Sequence, residues 1–90
     1  MDTLTDFRGA TGLTVNYFAA ARAAARAQTE TVEAGSLAEL IADASQRHGP
    51  DLAKVLEVCS FLVDGVRLSD RDAALSPGSS VDVLPPFAGG

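Results

Sequence analysis

The chain ends Leu84-Pro85-Pro86-Phe87-Ala88-Gly89-Gly90, and these are the residues whose types and spacing could carry chemistry. Each proline removes a backbone donor and fixes φ, so the chain is expected to leave the last strand extended and to stay out of any neighbouring ladder. The six residues past Leu84 then reach roughly 19 to 20 Å into a partner. Gly89 and Gly90 lack a β-carbon and fit a passage too narrow for other residues. A glycine end loses conformational entropy on being ordered, so the pattern makes sense where something binds it. The group delivered is the α-carboxylate of Gly90, ionised at neutral pH because its reference pKa is about 3.3 to 3.7.

No other residues offer a comparable constellation. There is no Ser-His-Asp set, no phosphate-cradling glycine loop and no carboxylate pair, so the chain is expected to catalyse nothing on its own. The single Cys59 excludes an internal disulfide and a Cys-rich metal site, and it reads as a small buried apolar thiol in a reducing, cytoplasmic setting. His48 has no second histidine or clustered acids at ligand spacing; it is expected to cap carbonyls at a helix C-terminus, and no metal is expected. A net charge of −5, from 7 basic and 12 acidic side chains, argues against phosphate-backbone binding, so no nucleic-acid partner is expected. No stretch approaches the ~20 apolar residues of a membrane span.

The elements that must position the tail can be read from periodicity. Leu13, Val15 and Tyr17 alternate with polar residues, a half-buried strand running to about Ala19. The alanine-rich run from Ala19 to Ala27 predicts one or two helical turns, and Thr29 to Glu33 a strand returning antiparallel to the first. Ser36, with Glu39 three residues on, caps a helix from Leu37 to about His48, whose Leu37, Leu40, Ile41 and Ala44 share one face. Asp43 and Arg47 pair on its solvent side, and Gly49-Pro50 end it before a second short helix over 51–58. Phe61 to Val63, the turn Asp64-Gly65 and Val66 to Leu68 predict a hairpin; Pro77-Gly78 turns the chain into a last strand, Val81 to Leu84. This order predicts an α+β fold, a ubiquitin-like β-grasp in which one main helix packs across a mixed sheet of four to five strands. The expected organisation of the 90 residues is a flexible lead-in over 1–12, a β-grasp domain over 13–84 and an extended Gly-Gly tail over 85–90.

From about Thr14 to Gly90 the sequence resembles the MoaD family, the small sulfur-carrier subunit of molybdopterin synthase, within the ubiquitin-like MoaD/ThiS superfamily. The resemblance is carried by Tyr17-Phe18-Ala19 with Arg22, by the Ser36-to-Gly49 helix, by Leu62-Val63-Asp64-Gly65 and by Leu75-Ser76-Pro77-Gly78 before Val81-Asp82-Val83. Its most specific element is the ending Pro85-Pro86-Phe87-Ala88-Gly89-Gly90. Ser79-Ser80 departs from the family's usual acidic pair, a surface detail on this reading.

The resemblance implies that an E1-like enzyme joins Gly90 to AMP, using ATP that this chain does not itself bind. Persulfide sulfur then replaces AMP, leaving a thiocarboxylate. Gly89 and Gly90 are thus the reacting end, and the tail enters a MoaE-like large subunit of molybdopterin synthase, a heterotetramer, to sulfurate the pyranopterin precursor. Two carriers are consumed per dithiolene. Phe18, Leu84 and Phe87 correspond to apolar contact positions, Arg22 to a basic one beside them, and Pro85, Pro86 and Ala88 to the inserted segment. Phe18 and Phe87 could equally be core residues. Carriers serving thiamin thiazole or cysteine synthesis share the fold and the Gly-Gly end. So do ubiquitin-like modifiers, in which Gly90 would join a target lysine; a third alternative is a non-covalent interaction module that ignores the terminus. The Pro-Pro-Phe segment favours the molybdopterin branch.

Overall fold

A computed structural model describes residues 12–86; residues 1–11 and 87–90 lie outside the described part, including nearly all of the expected lead-in. Strand β1 spans Gly12–Tyr17, and so includes the residue before Leu13, where the alternation begins. Leu13, Val15 and Tyr17 turn inward and are buried, as their alternation requires. The strand stops at Tyr17, short of Ala19, because Ala19 takes a positive φ of 49° that swings the chain into helix α1, Ala19–Ala25. Ala21 and Ala25, four residues apart, form its buried face.

Strand β2, Thr29–Glu33, returns antiparallel, with Leu13 opposite Val32 and Val15 opposite Glu30. Helix α2 covers Leu37–His48 and buries Leu37, Leu40 and Ala44. Its N-terminus is capped by Ser36, whose Oγ accepts from the Glu39 N–H at 3.2 Å. The Glu39 carboxylate reaches back one residue further than a reciprocal capping box does and accepts from the Gly35 N–H at 2.7 Å. Gly49, at φ 95° and ψ −174°, ends α2 in a conformation open only to glycine. Pro50 can therefore start α3, Pro50–Glu57, at once, and Leu52 and Leu56 enter the core.

Strands β3, Ser60–Val63, and β4, Val66–Arg67, form the hairpin expected at Asp64-Gly65, whose φ values of 49° and 87° suit a type I′ turn. Leu68 leaves the strand, although its N–H still donates to the Phe61 carbonyl at 3.0 Å. Asp64 ties the hairpin to strand β5, Ser80–Leu84, because its carboxylate accepts from the Ser80 N–H at 2.9 Å. Ser79, next to it, is buried, so the Ser79-Ser80 pair is a packed junction and not the surface detail that the sequence suggests.

The five strands lie in the order β2-β1-β5-β3-β4. Strand β5 is therefore interior, parallel to β1 and antiparallel to β3, with Tyr17 opposite Val83 and Ser60 opposite Leu84. Val81 and Val83 face the helices, where they join Leu13, Val15, Tyr17, Val32 and Phe61 against α2 and α3. Each fully buried aliphatic side chain contributes about 1.5 to 3 kcal/mol of transfer free energy. This is the expected α+β β-grasp, with the main helix α2 flanked by the two short helices that the alanine run and the segment after Gly49-Pro50 predict.

One expectation fails inside this core. His48 does not cap the end of α2: the Gly49 N–H, not the imidazole, bonds the Ser45 carbonyl. The His48 ring lies edge-on to Tyr17 at 6.0 Å, and its Nε2 sits 2.7 Å from Glu30 Oε2. The Tyr17 hydroxyl donates to the same carboxylate oxygen at 2.6 Å, and Arg47 adds a contact of 3.3 Å to the other oxygen while holding Asp43. A carboxylate on the inner face of a strand is costly unless it is paired, and Tyr17, Arg47 and His48 converge on Glu30 to meet that need.

Candidate functional site

Because β5 is paired with β1 as far as Val83 and with β3 as far as Leu84, the chain leaves the sheet from its middle, not from an edge. Leu84 and Pro85 are half-buried there, and Pro86 is exposed. The Phe18 N–H donates to the Val83 carbonyl at 3.2 Å, which fixes Phe18 beside the exit. Its extended backbone, φ −120° and ψ 151°, turns the ring away from the face that holds Tyr17, and it stays 43% exposed. Phe18 is thus a surface residue and not a member of the core.

Arg22 is exposed on α1 and lines, with Phe18, Asn16, Gln28 and Thr29, a shallow hollow of about 180 Å³. The predicted contacts Phe18, Arg22, Leu84, Pro85 and Pro86 are therefore brought to one end of the sheet. Phe87, Ala88, Gly89 and Gly90 lie outside the described residues.

Sequence reasoning missed Val58 and Ser60. Ser60 pairs with Leu84, and the turn leading into it leaves Val58 61% exposed at the same end of the sheet. No periodic signal marks either residue, since their place follows from the antiparallel β3–β5 register. Below the exit, Asn16 spans three strands: its Nδ2 donates to Ser80 Oγ at 3.1 Å and to Asp82 Oδ1 at 2.9 Å, and its Oδ1 accepts from Thr29 at 3.1 Å. These bonds tie β2, β1 and β5 together, so the last strand is held firmly where the tail begins.

Cys59 borders the exit but is buried, and its thiol donates to the Val55 carbonyl at 3.1 Å. Burial pushes the thiol up to about 11, against a smaller downward pull from Arg71. The thiolate is the reactive form, so at pH 8 Cys59 should react with iodoacetamide roughly 100-fold more slowly than the unfolded chain does. Mass spectrometry of the time course checks this; equal rates would mean that the thiol is open. Among the described residues no three His, Cys, Asp or Glu side chains are placed to hold a metal ion. None of their helices is long and apolar enough to cross a membrane.

A small sheet whose interior last strand delivers a tail ending in Gly-Gly, with an apolar rim at the exit, also has a counterpart among known families. The model of the ThiS family matches residues 15–90. The chain belongs to the ThiS family. Among solved structures it is similar to a Pyrococcus furiosus protein assigned as subunit 1 of a molybdopterin converting factor, at 26% identity and a TM-score of 0.71, covering 86% of this chain and 99% of that one. The complex of subunits 1 and 2 of the molybdopterin-converting factor from Helicobacter pylori matches at 23% identity and a TM-score of 0.65, covering 88% and 99%. Small archaeal modifier protein 1 (SAMP1) from Haloferax volcanii matches at 19% identity and a TM-score of 0.75, again covering 88% and 99%. No curated protein matches the chain. These likenesses place it in the ThiS/MoaD ubiquitin-like superfamily with a β-grasp fold, as the sequence resemblance implies.

Proposed function

We propose that this ThiS-family chain is the sulfur-carrying small subunit of a molybdopterin synthase. The observation that carries the reading is the exit of the tail from the centre of the sheet, between Phe18 on one side and Val58 and Ser60 on the other, with Pro85-Pro86 leading away. That arrangement suits a domain that docks by its rim while its terminus enters another protein. The large partner is a MoaE-like subunit, in line with the two-subunit Helicobacter pylori complex. The activating partner is an E1-like enzyme that consumes ATP. It forms a Gly90 acyl adenylate with loss of pyrophosphate; persulfide sulfur then displaces AMP, and thiol cleavage of the resulting acyl disulfide frees the thiocarboxylate. Like a thiolate, this group is an ionised sulfur nucleophile at neutral pH.

Protein produced alongside its own pathway should show, by intact mass, the oxygen-to-sulfur increment on the C-terminal peptide and should co-purify with a MoaE-like subunit. Co-purification with a thiazole synthase would sink the molybdopterin assignment. The likeness in fold to SAMP1 favours one second reading, a protein modifier, and stable adducts of Gly90 on lysines would establish it.

The rim gives its own test. Phe18→Ala should weaken the complex with the large subunit about 10- to 100-fold, as loss of an aromatic anchor does, while costing little stability. Calorimetric titration beside a thermal melt separates the two effects; equal loss of both would make Phe18 structural.

A further inference from the structure

On the β3 side of the exit lies a second hollow, of about 190 Å³, that the tail reading does not use. Arg67 and Arg71 both line it, together with Ser60 and Ser69, and no acidic residue does. Two arginines line one concavity on a chain whose net charge is −5. Among the described residues neither makes an ion pair or donates a side-chain hydrogen bond, whereas Arg47 is paired with both Glu30 and Asp43. Asp70 and Asp72 stand in the same loop, but the Asp70 carboxylate is turned to the Asp72 N–H, which it accepts at 3.0 Å. Arg71 is held in place by its stack over the Phe61 ring, 5.5 Å from the centroid. Arg67 is placed by its register opposite Leu62.

Like charges lining one hollow without a counter-ion repel, and arginine and serine side chains are donors of the kind that bind an oxyanion. The position narrows the choice. Ser60, on the wall of the hollow, is the register partner of Leu84, so a protein that swallows the tail must pass over this spot. We infer that the Arg67–Arg71 hollow is a docking site for a carboxylate-bearing segment of the protein that receives the tail. It lies across β5 from the Phe18–Arg22 hollow, so the exit has a cationic contact on each side. The identity of the occupant as the tail's receiver rests on the proposed sulfur-carrier function; the anion site itself does not.

The test uses the full chain, labelled with ¹⁵N, at low salt, with two probes: a blocked peptide of alternating Asp and Glu, and inorganic phosphate. The peptide should shift the amides of Ser60, Arg67, Ser69 and Arg71 saturably. About 0.5 M salt should remove the effect, since the Debye length there is only ~4 Å. In the Arg67→Ala/Arg71→Ala variant the peptide should bind on the order of tenfold more weakly, and Arg67→Lys/Arg71→Lys should fall between. Arg67→Ala alone leaves the Phe61 stack intact and should still cost roughly two- to fivefold. The inference is overturned if no local shifts occur, if they centre on Arg22 or Arg47, or if the double variant binds as the native chain does. Phosphate saturating the hollow at lower concentration than the peptide would also overturn it, in favour of a free-anion site. None of these readouts depends on Gly90, so their failure and that of the carrier function can be told apart.

Discussion

Deletion of Gly90 should abolish sulfur transfer, by at least about 10²-fold, while the melting temperature stays within about 3 °C of the full-length value. The first half follows from reach. One residue spans about 3.3 to 3.6 Å, and a 1 Å misplacement of a reacting group can cost on the order of 10²-fold. Adding one residue after Gly90 should be equally harmful, because the carboxylate that must be activated then sits on a different residue in a different place. The second half follows from where the core lies: among the described residues its last member is Val83, and the tail begins beyond the last ladder pair at Leu84. Substitutions away from packed features usually fall within about 0.5 kcal/mol, which sets the temperature window. Reconstituted dithiolene synthesis beside calorimetry makes the comparison. A truncated chain that still supports synthesis would end the carrier reading.

The opposite pattern is expected at Tyr17. It is the largest fully buried side chain among the described residues, 1% exposed, and Tyr17→Ala should cost about 3 to 5 kcal/mol. A chain of this length has only roughly 5 to 13 kcal/mol in total, so this variant should stand near the edge of unfolding. Tyr17→Phe keeps the ring and removes only the hydroxyl that donates to Glu30, and should cost about 1 to 2 kcal/mol. Chemical denaturation of both variants checks the ratio. If the phenylalanine variant is as unstable as the alanine variant, the hydroxyl and not the ring is what matters.

The same cluster sets an acid limit. Burial pushes the Glu30 carboxyl up, but hydrogen bonds from Tyr17 and His48, with the attraction of His48 and Arg47, outweigh burial and hold it below its ordinary value. A folded-state pKa below the unfolded one means that the carboxylate stabilises the fold above the ordinary glutamate range. That contribution is lost as pH falls through the lowered value. Denaturation curves between about pH 6 and pH 2 should therefore show a steeper acid loss for the native chain than for Glu30→Gln. Parallel slopes would remove Glu30 from the account.

Much of the fold is legible in the sequence. The alternation of Leu13, Val15 and Tyr17, the i, i+3, i+4, i+7 face of α2, the Ser36 cap and the Asp64-Gly65 turn are all set by interactions within a few residues. Such local signals survive in one dimension. Helix α3 is legible for the same reason. The alternation runs the end of β1 too far because Ala19 takes a positive φ, a conformation of which alanine gives no sign. His48 was misread because its partner, Glu30, is 18 residues away on the inner face of β2.

The candidate site divides along the same line. Sequence alone determined the ending, Pro85-Pro86-Phe87-Ala88-Gly89-Gly90, and with it the expectation of a carboxylate delivered at a distance, because proline and glycine act through their own backbones. Tertiary structure alone decided what surrounds the exit. The parallel register with β1 sets Phe18 and Arg22 on one side of β5, and the antiparallel register with β3 brings Val58, Ser60, Arg67 and Arg71 to the other. Strand pairing joins residues 24 and 66 positions apart in the chain, and no pattern along one segment records which strand its neighbour will be.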